Sequence, residues 1–315
     1  MFNLKIRLAL LSIVVLLIVS CAERTKEGSK VLTDNHSNTL VMTLVNERSQ
    51  NVMVAAHRAC WRLAPENSIE AIEKCIQLGV DMVEIDVRRT RDGHLIILHD
   101  ETLNRTTNGV GLVSERTLAE VSELQLKEHQ GGDGIALTEY HIPTLEEALR
   151  AGKGKILINL DAKDEVRDQA YALTESLGMT DQIVIKKVIN SPDEVQRVQN
   201  MAFFGKTHFM PLVWQKDGEL TEQVKRLVVM NPVAFEVIYQ TEEQLATACE
   251  QAKNQGSRCW VNTLWESLSP GHSDDVSVLD PDAHWGKLTR LGVNMFQTDR
   301  PAALIKYLSS QGLRK

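Results

Sequence analysis

Short apolar runs alternate with helix-patterned stretches along most of the chain. The runs fall at Val52–Ala56, Met82–Val87, Lys155–Leu160, Ile183–Val188, His208–Val213, Val233–Val237, Arg258–Asn262 and Asn294–Gln297. Segments of helical character separate most of them: Ser68–Leu78, Glu165–Leu177, Pro192–Met201, Glu219–Met230 and Glu242–Gln255, with Ala302–Gln311 closing the chain just before Gly312. Eight strands alternating with helices predict an α/β fold, either a closed parallel barrel or a doubly wound sheet. Residues 100–143 interrupt the rhythm with Gly109, Gly111, Gly131, Gly132 and Gly134, which reads as an insertion of about 101–143 over the barrel mouth, after the second strand region. No repeat of fixed period is present, and no second domain boundary falls within 51–315.

The first fifty residues follow a different pattern. Lys5 and Arg7 precede the mostly apolar stretch Leu8 to Val19, which has the layout of a secretory signal and is too short for a membrane span of about 20 residues. It ends in Ile18-Val19-Ser20-Cys21, which resembles the lipobox of bacterial lipoproteins. The expectation is a signal peptide over 1–20, a lipid on Cys21 and an exported, membrane-anchored protein on the periplasmic or cell-surface side. Residues 22–50 are polar and lack clear periodicity, so a flexible tether is expected there.

Composition narrows the function. With 315 residues, 43% hydrophobic and 24% charged, the chain is large enough for one barrel-sized domain. A net charge of −7 without any basic run argues against a nucleic-acid partner but leaves room for a small anionic substrate in a local basic pocket. Cys60, Cys75, Cys249 and Cys259 lack C-x-x-C spacing, which weakens a zinc or redox reading. Export permits disulfides, but four cysteines allow three pairings, and the default expectation is buried small apolar residues.

The chemistry concentrates between His57 and Asp100. In Asp81-Met82-Val83-Glu84-Ile85-Asp86-Val87 the apolar positions alternate with Glu84 and Asp86, so a strand places both carboxylates on one face, about 7 Å apart. Two such groups repel and are costly to bury, and a hard divalent cation with oxygen ligands removes the conflict. His57-Arg58 follows the first apolar run directly, and His99-Asp100 follows Leu95–Leu98, so each histidine sits at a strand end. Phosphodiester cleavage needs a base for the nucleophile and an acid for the leaving alkoxide, and histidine serves both roles near neutral pH. Arg58 offers a fork of donors to non-bridging phosphate oxygens.

These residues sit inside a longer series. His57-Arg58 with Pro65-Glu66-Asn67-Ser68, then Gly79, Glu84-x-Asp86, Thr90-x-Asp92-Gly93, His99-Asp100 and Asn104-Arg105-Thr106-Thr107-x-Gly109 resembles the glycerophosphodiester phosphodiesterase family. The likeness continues through Ile142-Pro143-Thr144-Leu145-Glu146, Ile158-Asn159-Leu160-Asp161-Ala162-Lys163 and Gln297-Thr298-Asp299-Arg300-Pro301. Many motifs in fixed order are far more specific than any one alone. The resemblance implies a TIM-type barrel in which Glu84, Asp86 and Asp161 hold one Ca²⁺ or Mg²⁺. It also implies that His57 and His99 act as general base and acid, that Lys163 adds charge near the phosphate, and that Lys186 lies near the site. The implied reaction passes through a cyclic phosphate, which water opens to glycerol phosphate and an alcohol.

Two positions depart from the family pattern. Ala59 stands where a glycine is usual, and glycine serves where φ is positive or the backbone approaches a ligand. Asp161 stands where a glutamate is usual, one methylene shorter. Elsewhere, His94 reads as a turn residue and Asn67-Ser68 as a helix N-cap, while Glu66 is a candidate for the metal or the glycerol. Glu236 is expected either on the substrate or paired with Lys186. Of Trp260, Trp265 and Trp285, Trp265 is placed in the alcohol pocket, and the polar loop Gly271–Asp275 is given no role. Two further readings stand beside hydrolysis: a lyase resembling the phosphatidylinositol-specific phospholipases C, which stops at the cyclic phosphate, and a non-catalytic ligand-binding lipoprotein.

Overall fold

The computed structural model describes residues 36–46 and 49–314. The expected signal peptide and Cys21 lie outside the described residues. Eight parallel strands form the barrel: β1 Met53–Ala56, β2 Met82–Arg89, β3 Leu157–Ala162, β4 Ile183–Val188, β5 His208–Trp214, β6 Ala234–Ile238, β7 Arg258–Asn262 and β8 Met295–Thr298. Each pairs with the next, and β1 pairs with both β2 and β8, which closes the ring and settles the choice between barrel and doubly wound sheet. Every expected strand is present to within two residues at each end; β3 runs on to Ala162, which puts Asp161 on the strand itself.

Period-two alternation sorts the side chains. Val83, Ile85 and Val87 of β2 join Ile158 and Leu160 of β3 in the core beneath the helices, so Glu84 and Asp86 face the lumen. Register then sets the site, because Asp86 lies opposite Asp161 and Glu84 opposite Asn159. Lower in the lumen the side chains are apolar: Met53, Met82, Leu157, Met210, Trp260 and Met295 fill the floor.

A helix over 36–45 covers that floor, where the sequence pattern had suggested only a tether through residue 50. Leu40 and Leu44 enter the floor cluster, a burial that stabilises by about 1.5–3 kcal/mol per side chain. Buried Arg258 donates to the carbonyls of Leu44 at 3.0 Å and of Asn51 and Asn294 at 3.2 Å, and also to that of Thr43, so the helix end is pinned by charge-assisted bonds. Two leucines four apart in a ten-residue segment are too brief a signal to separate from a polar linker.

The cysteines also differ from the default expectation of unlinked apolar residues. Cys60 bonds Cys75 and Cys249 bonds Cys259, each pair buried and joining a strand-end loop or strand to a neighbouring helix. Closing the 15-residue loop between Cys60 and Cys75 stabilises by about 3 kcal/mol in the chain-entropy account.

The insertion after β2 is a small folded unit. Strand Leu95–Ile97 pairs antiparallel with the end of β2, and a two-stranded sheet, Gln125–Lys127 with Leu137–His141, stands apart from the barrel. Ile96, Leu98, Leu103, Val113, Val121, Leu126 and Ile142 form its own core. Helix Leu145–Gly152, N-capped by Thr144, then leads into β3; the sequence reading left that helix unassigned.

Candidate active site

The carboxylate centre is built from β2 and β3. One oxygen each from Glu84, Asp86 and Asp161 lies within 4.8 Å of the other two, and Glu84 and Asp86 are buried. Burial, then repulsion from Asp86, pushes the Glu84 carboxyl up to about 7. Asp161 moves the other way: burial opposes its ionisation, yet Lys186 and then Lys163 outweigh this and bring it down to about 2. The Lys186 ammonium, from β4, stands 3.2 Å from Asp161, 3.9 Å from Glu84 and 4.0 Å from Glu236. Burial disfavours that charge, but the carboxylates around it raise Lys186 well above the usual lysine range.

This donor set suits a hard divalent cation. All three candidate ligands are carboxylates, and the burial and Asp86 repulsion that raise Glu84 despite Lys186 are what a bound cation would offset. Glu84, Asp86 and Asp161 would hold the ion. Glu236 is buried, accepts from Asn262 at 2.7 Å through one oxygen and leaves the other without a hydrogen bond, facing Lys186. It therefore takes the lysine-pairing place.

The first βα loop wraps this centre with strained backbone. Arg58, Ala59 and Asn67 have φ of 50°, 62° and 53°, the left-handed region that favours glycine. Ala59 thus occupies the conformation for which the family's glycine is suited, at a cost of about 1–2 kcal/mol. The geometry has a use, since the amide of Arg58 donates to the Glu84 carboxylate at 3.0 Å and that of Ala59 to the Glu84 carbonyl at 3.1 Å. Asn67 grips Asp86 twice, its side-chain amide donating to the carboxylate at 2.9 Å while its oxygen accepts the Asp86 backbone N–H at 3.1 Å. Ser68 is the N-cap of helix Ile69–Leu78, as the sequence suggested; Asn67 had passed as part of the cap.

The two histidines stand in different surroundings. His57, at the end of β1, is buried, and its Nδ1–H donates to Asp299 at 2.9 Å. Burial lowers its proton affinity, but the hydrogen bond to Asp299 and then the charge of Glu84 prevail and leave it raised. His99 has a side chain 43% exposed and donates from Nδ1 to Asp100 at 2.7 Å. In each ring the carboxylate fixes the Nδ1 proton and leaves Nε2 for chemistry.

Arginines tie the halves together. Arg58 donates to both oxygens of Glu66 at 3.2 and 3.1 Å and lies 3.8 Å from Asp86. Arg105 reaches the same Glu66 at 2.7 and 2.9 Å and Asp100 at 2.8 and 2.9 Å. Both Glu66 oxygens are occupied by guanidinium groups, so Glu66 stands outside the carboxylate triad and enters the site through Arg58. Arg105, hydrogen-bonded to Asp100 above all, holds that carboxyl well below the usual range.

Of the remaining expected residues, Lys163 stands 3.6 Å from Asp161 and is half exposed at the mouth. Trp265 is 45% exposed with its ring 5.8 Å from that of His57, whereas Trp260 and Trp285 are fully buried. His94 sits in an exposed turn. Sequence reasoning gave Asp299 and Arg105 no role beyond their place in the family motifs and missed Trp61, whose indole N–H donates to Asp299 at 2.7 Å. A signal for Asp299 existed, because closure of a barrel sets the end of the last strand beside the end of the first.

Comparison with known proteins supplies the family and supports the fold. Residues 57–303 match the model of the glycerophosphoryl diester phosphodiesterase family. A glycerophosphodiester phosphodiesterase of Caldanaerobacter subterraneus subsp. tengcongensis is 40% identical over 119 residues, 36% of this chain and 46% of that protein. The chain thus spans about half the length of that curated relative. Among solved structures, a glycerophosphoryl diester phosphodiesterase from Parabacteroides distasonis superposes with a TM-score of 0.68 at 24% identity, covering 88% of this chain and 92% of that one. An Oleispira antarctica phosphodiesterase, solved in complex with the product sn-glycerol-3-phosphate, gives 0.58 at 21% identity, over 82% and 96% of the two chains. With the family model matched over residues 57–303, most of the sequence, the chain belongs to the glycerophosphoryl diester phosphodiesterase family.

Proposed function

We propose that this protein hydrolyses glycerophosphodiesters to glycerol 3-phosphate and a free alcohol. The observation that carries the reading is the pairing of two carboxylate-oriented histidines, His57 on Asp299 and His99 on Asp100, with the buried Glu84–Asp86–Asp161 triad. One divalent cation, Ca²⁺ or Mg²⁺, held by the triad would make a bound hydroxyl more acidic and offset charge on the phosphate.

The chain's own groups supply the rest. One histidine takes the proton from the glycerol hydroxyl beside the phosphoester as that oxygen bonds to phosphorus. The other gives a proton to the departing alcohol oxygen, and a cyclic phosphate results. The two then exchange roles while water opens the ring. Arg58, already aligned by Glu66, and Lys163 at the mouth bind the non-bridging oxygens, and Trp265 lines the side on which the alcohol leaves.

We read the N-terminus as an export signal followed by a lipid on Cys21, which would keep the enzyme at a membrane. Fractionation of cells expressing the wild type and Cys21→Ser tests this: release of the variant from the membrane is expected, and equal retention of both would refute it. For the activity, protein lacking residues 1–21 is assayed against choline, ethanolamine, inositol and glycerol phosphodiesters with each divalent metal. Glycerol 3-phosphate is the expected product. Accumulated cyclic phosphate would mark a lyase, and binding without turnover a non-catalytic protein. Loss of turnover in EDTA, restored by Ca²⁺ or Mg²⁺, is expected; full activity in chelator would overturn the metal reading.

A further inference from the structure

The acid–base reading of His57 leaves open what holds Asp299 in place. Asp299 follows β8 in a loop, where a carboxylate has many rotamers and the backbone little support from the barrel. Its hydrogen bonds nevertheless fix it at three points. The carboxylate oxygen that receives His57 Nδ1 also receives Trp61 Nε1 at 2.7 Å. The backbone carbonyl accepts from Arg62 Nε at 2.9 Å. The backbone N–H donates to a carboxylate oxygen of Asp274 at 2.6 Å.

Asp274, in the polar Gly271–Asp275 stretch to which the reaction assigns nothing, opens the short helix Asp274–Ser277 rather than lying in a loop. It is 2% exposed, which is rare for an aspartate without a cation partner. Burial, first among the influences on it, pushes its carboxyl up to about 6, so at neutral pH it is still mainly an acceptor-only carboxylate. Its other oxygen accepts from Thr263 Oγ1 at 2.6 Å and Thr298 Oγ1 at 2.8 Å. Thr263 follows β7 and Thr298 ends β8, so Asp274 links two strand ends and hands their rigidity to the Asp299 backbone.

We propose that Asp274 is a positioning residue for His57, acting through Asp299 to hold the imidazole in the tautomer and orientation that the reaction uses. This rests on the reading of His57 as an acid–base group. Removing the Asp274 carboxylate leaves the Asp299 N–H and the Thr298 hydroxyl without their acceptor and Thr263 with only the Gln297 carbonyl at 3.3 Å, so the His57 partner loses its tie to the strand ends and keeps only Trp61 and Arg62. Residues that orient a first-layer group in this way commonly change activity by about 10–100-fold.

The test is a cycle of Asp274→Ala, Asp299→Asn and the double variant, with kcat and KM measured separately and His57 ring ¹⁵N shifts recorded. Asp274→Ala is expected to lower kcat by about 10–100-fold with KM within about twofold, and to cost little more once Asp299 is asparagine. Asp274→Asn, which keeps an acceptor oxygen, is expected to restore part of kcat. The ¹⁵N shifts read the Nδ1 proton directly in resting protein, so an inactive wild type would overturn the functional reading alone. Multiplicative losses in the double variant, or ring shifts unchanged by Asp274→Ala, would overturn the positioning role. Should Asp274→Ala fail to fold, Thr263→Val removes one hydroxyl that holds Asp274, and a severalfold kcat loss confined to the Asp299-containing background is expected; an equal loss in both backgrounds would refute the proposal.

Discussion

The two sides of the site are built on opposite principles. On the His57 side the ring is buried, its partner Asp299 comes from 242 residues away, and β1, β7 and β8 all contribute to the support. On the His99 side the ring is 43% exposed, its partner Asp100 is the next residue, and support comes from Arg105 in the insertion. A buried polar network loses heavily when one member is removed, because the others are left unpaired in a low dielectric; a half-solvated one is rescued by water. The site therefore joins a rigid wall belonging to the barrel with an adjustable wall belonging to the insertion.

The largest effects test whether both walls carry chemistry. His57→Ala and His99→Ala should each reduce glycerol 3-phosphate release by about 10²–10⁴-fold, the usual contribution of general acid–base groups, with circular dichroism unchanged. Near-normal turnover in either variant would remove that wall from the mechanism. Next come the partners, where the walls should part company: Asp299→Asn is expected to cost about 10–100-fold in kcat, and Asp100→Asn less than about tenfold. Equal losses would erase the contrast.

Arg105→Ala probes the open wall through stability. It leaves Glu66 with Arg58 alone and Asp100 without its guanidinium, for an expected loss of about 1–3 kcal/mol in urea unfolding at pH 7. The Asp100 share has a definite sign. A carboxylate held below its usual range stabilises the fold above its unfolded pKa of about 4, and that share fades as pH falls through the lowered value. The gap between wild type and variant should therefore narrow only below about pH 4. A gap that closes already at pH 6 would point to another group. The smallest effect is expected for Trp265→Ala, a rise in KM of a fewfold with kcat nearly kept, because a ring 45% exposed contributes packing at the edge of the mouth. A collapse in kcat instead would place Trp265 on the His57 wall.

The difference between the walls also marks what could be read from sequence. Glu84 and Asp86 were legible because alternation along one strand is local and puts them on one face, whereas Asp161, on a second strand and just past its expected end, was legible only through the family resemblance. His57 and His99 were legible because each follows an apolar run. The roles of Asp299, Arg105 and Trp61 were not, although the first two stand in the family motifs, since Asp299 and Trp61 meet across 238 residues and Arg105 joins Asp100 to a Glu66 that lies 39 residues away. Asn67 shows the same limit in miniature: beside Ser68 it looks like a cap, and only the folded loop reveals its two bonds to Asp86. The disulfides were hidden because three pairings are equivalent until the distances are known, and the 36–45 helix because its signal is two leucines whose partners lie in the barrel floor.

Both described ends of the chain meet at that floor. The 36–45 helix seals it, and at the other end the Leu313 carbonyl accepts from Val52 while Arg314 pairs with Asp81, beside the starts of β1 and β2. The histidines open at the opposite pole. An anchor on the N-terminal segment, as proposed, would therefore act on the pole opposite the histidines.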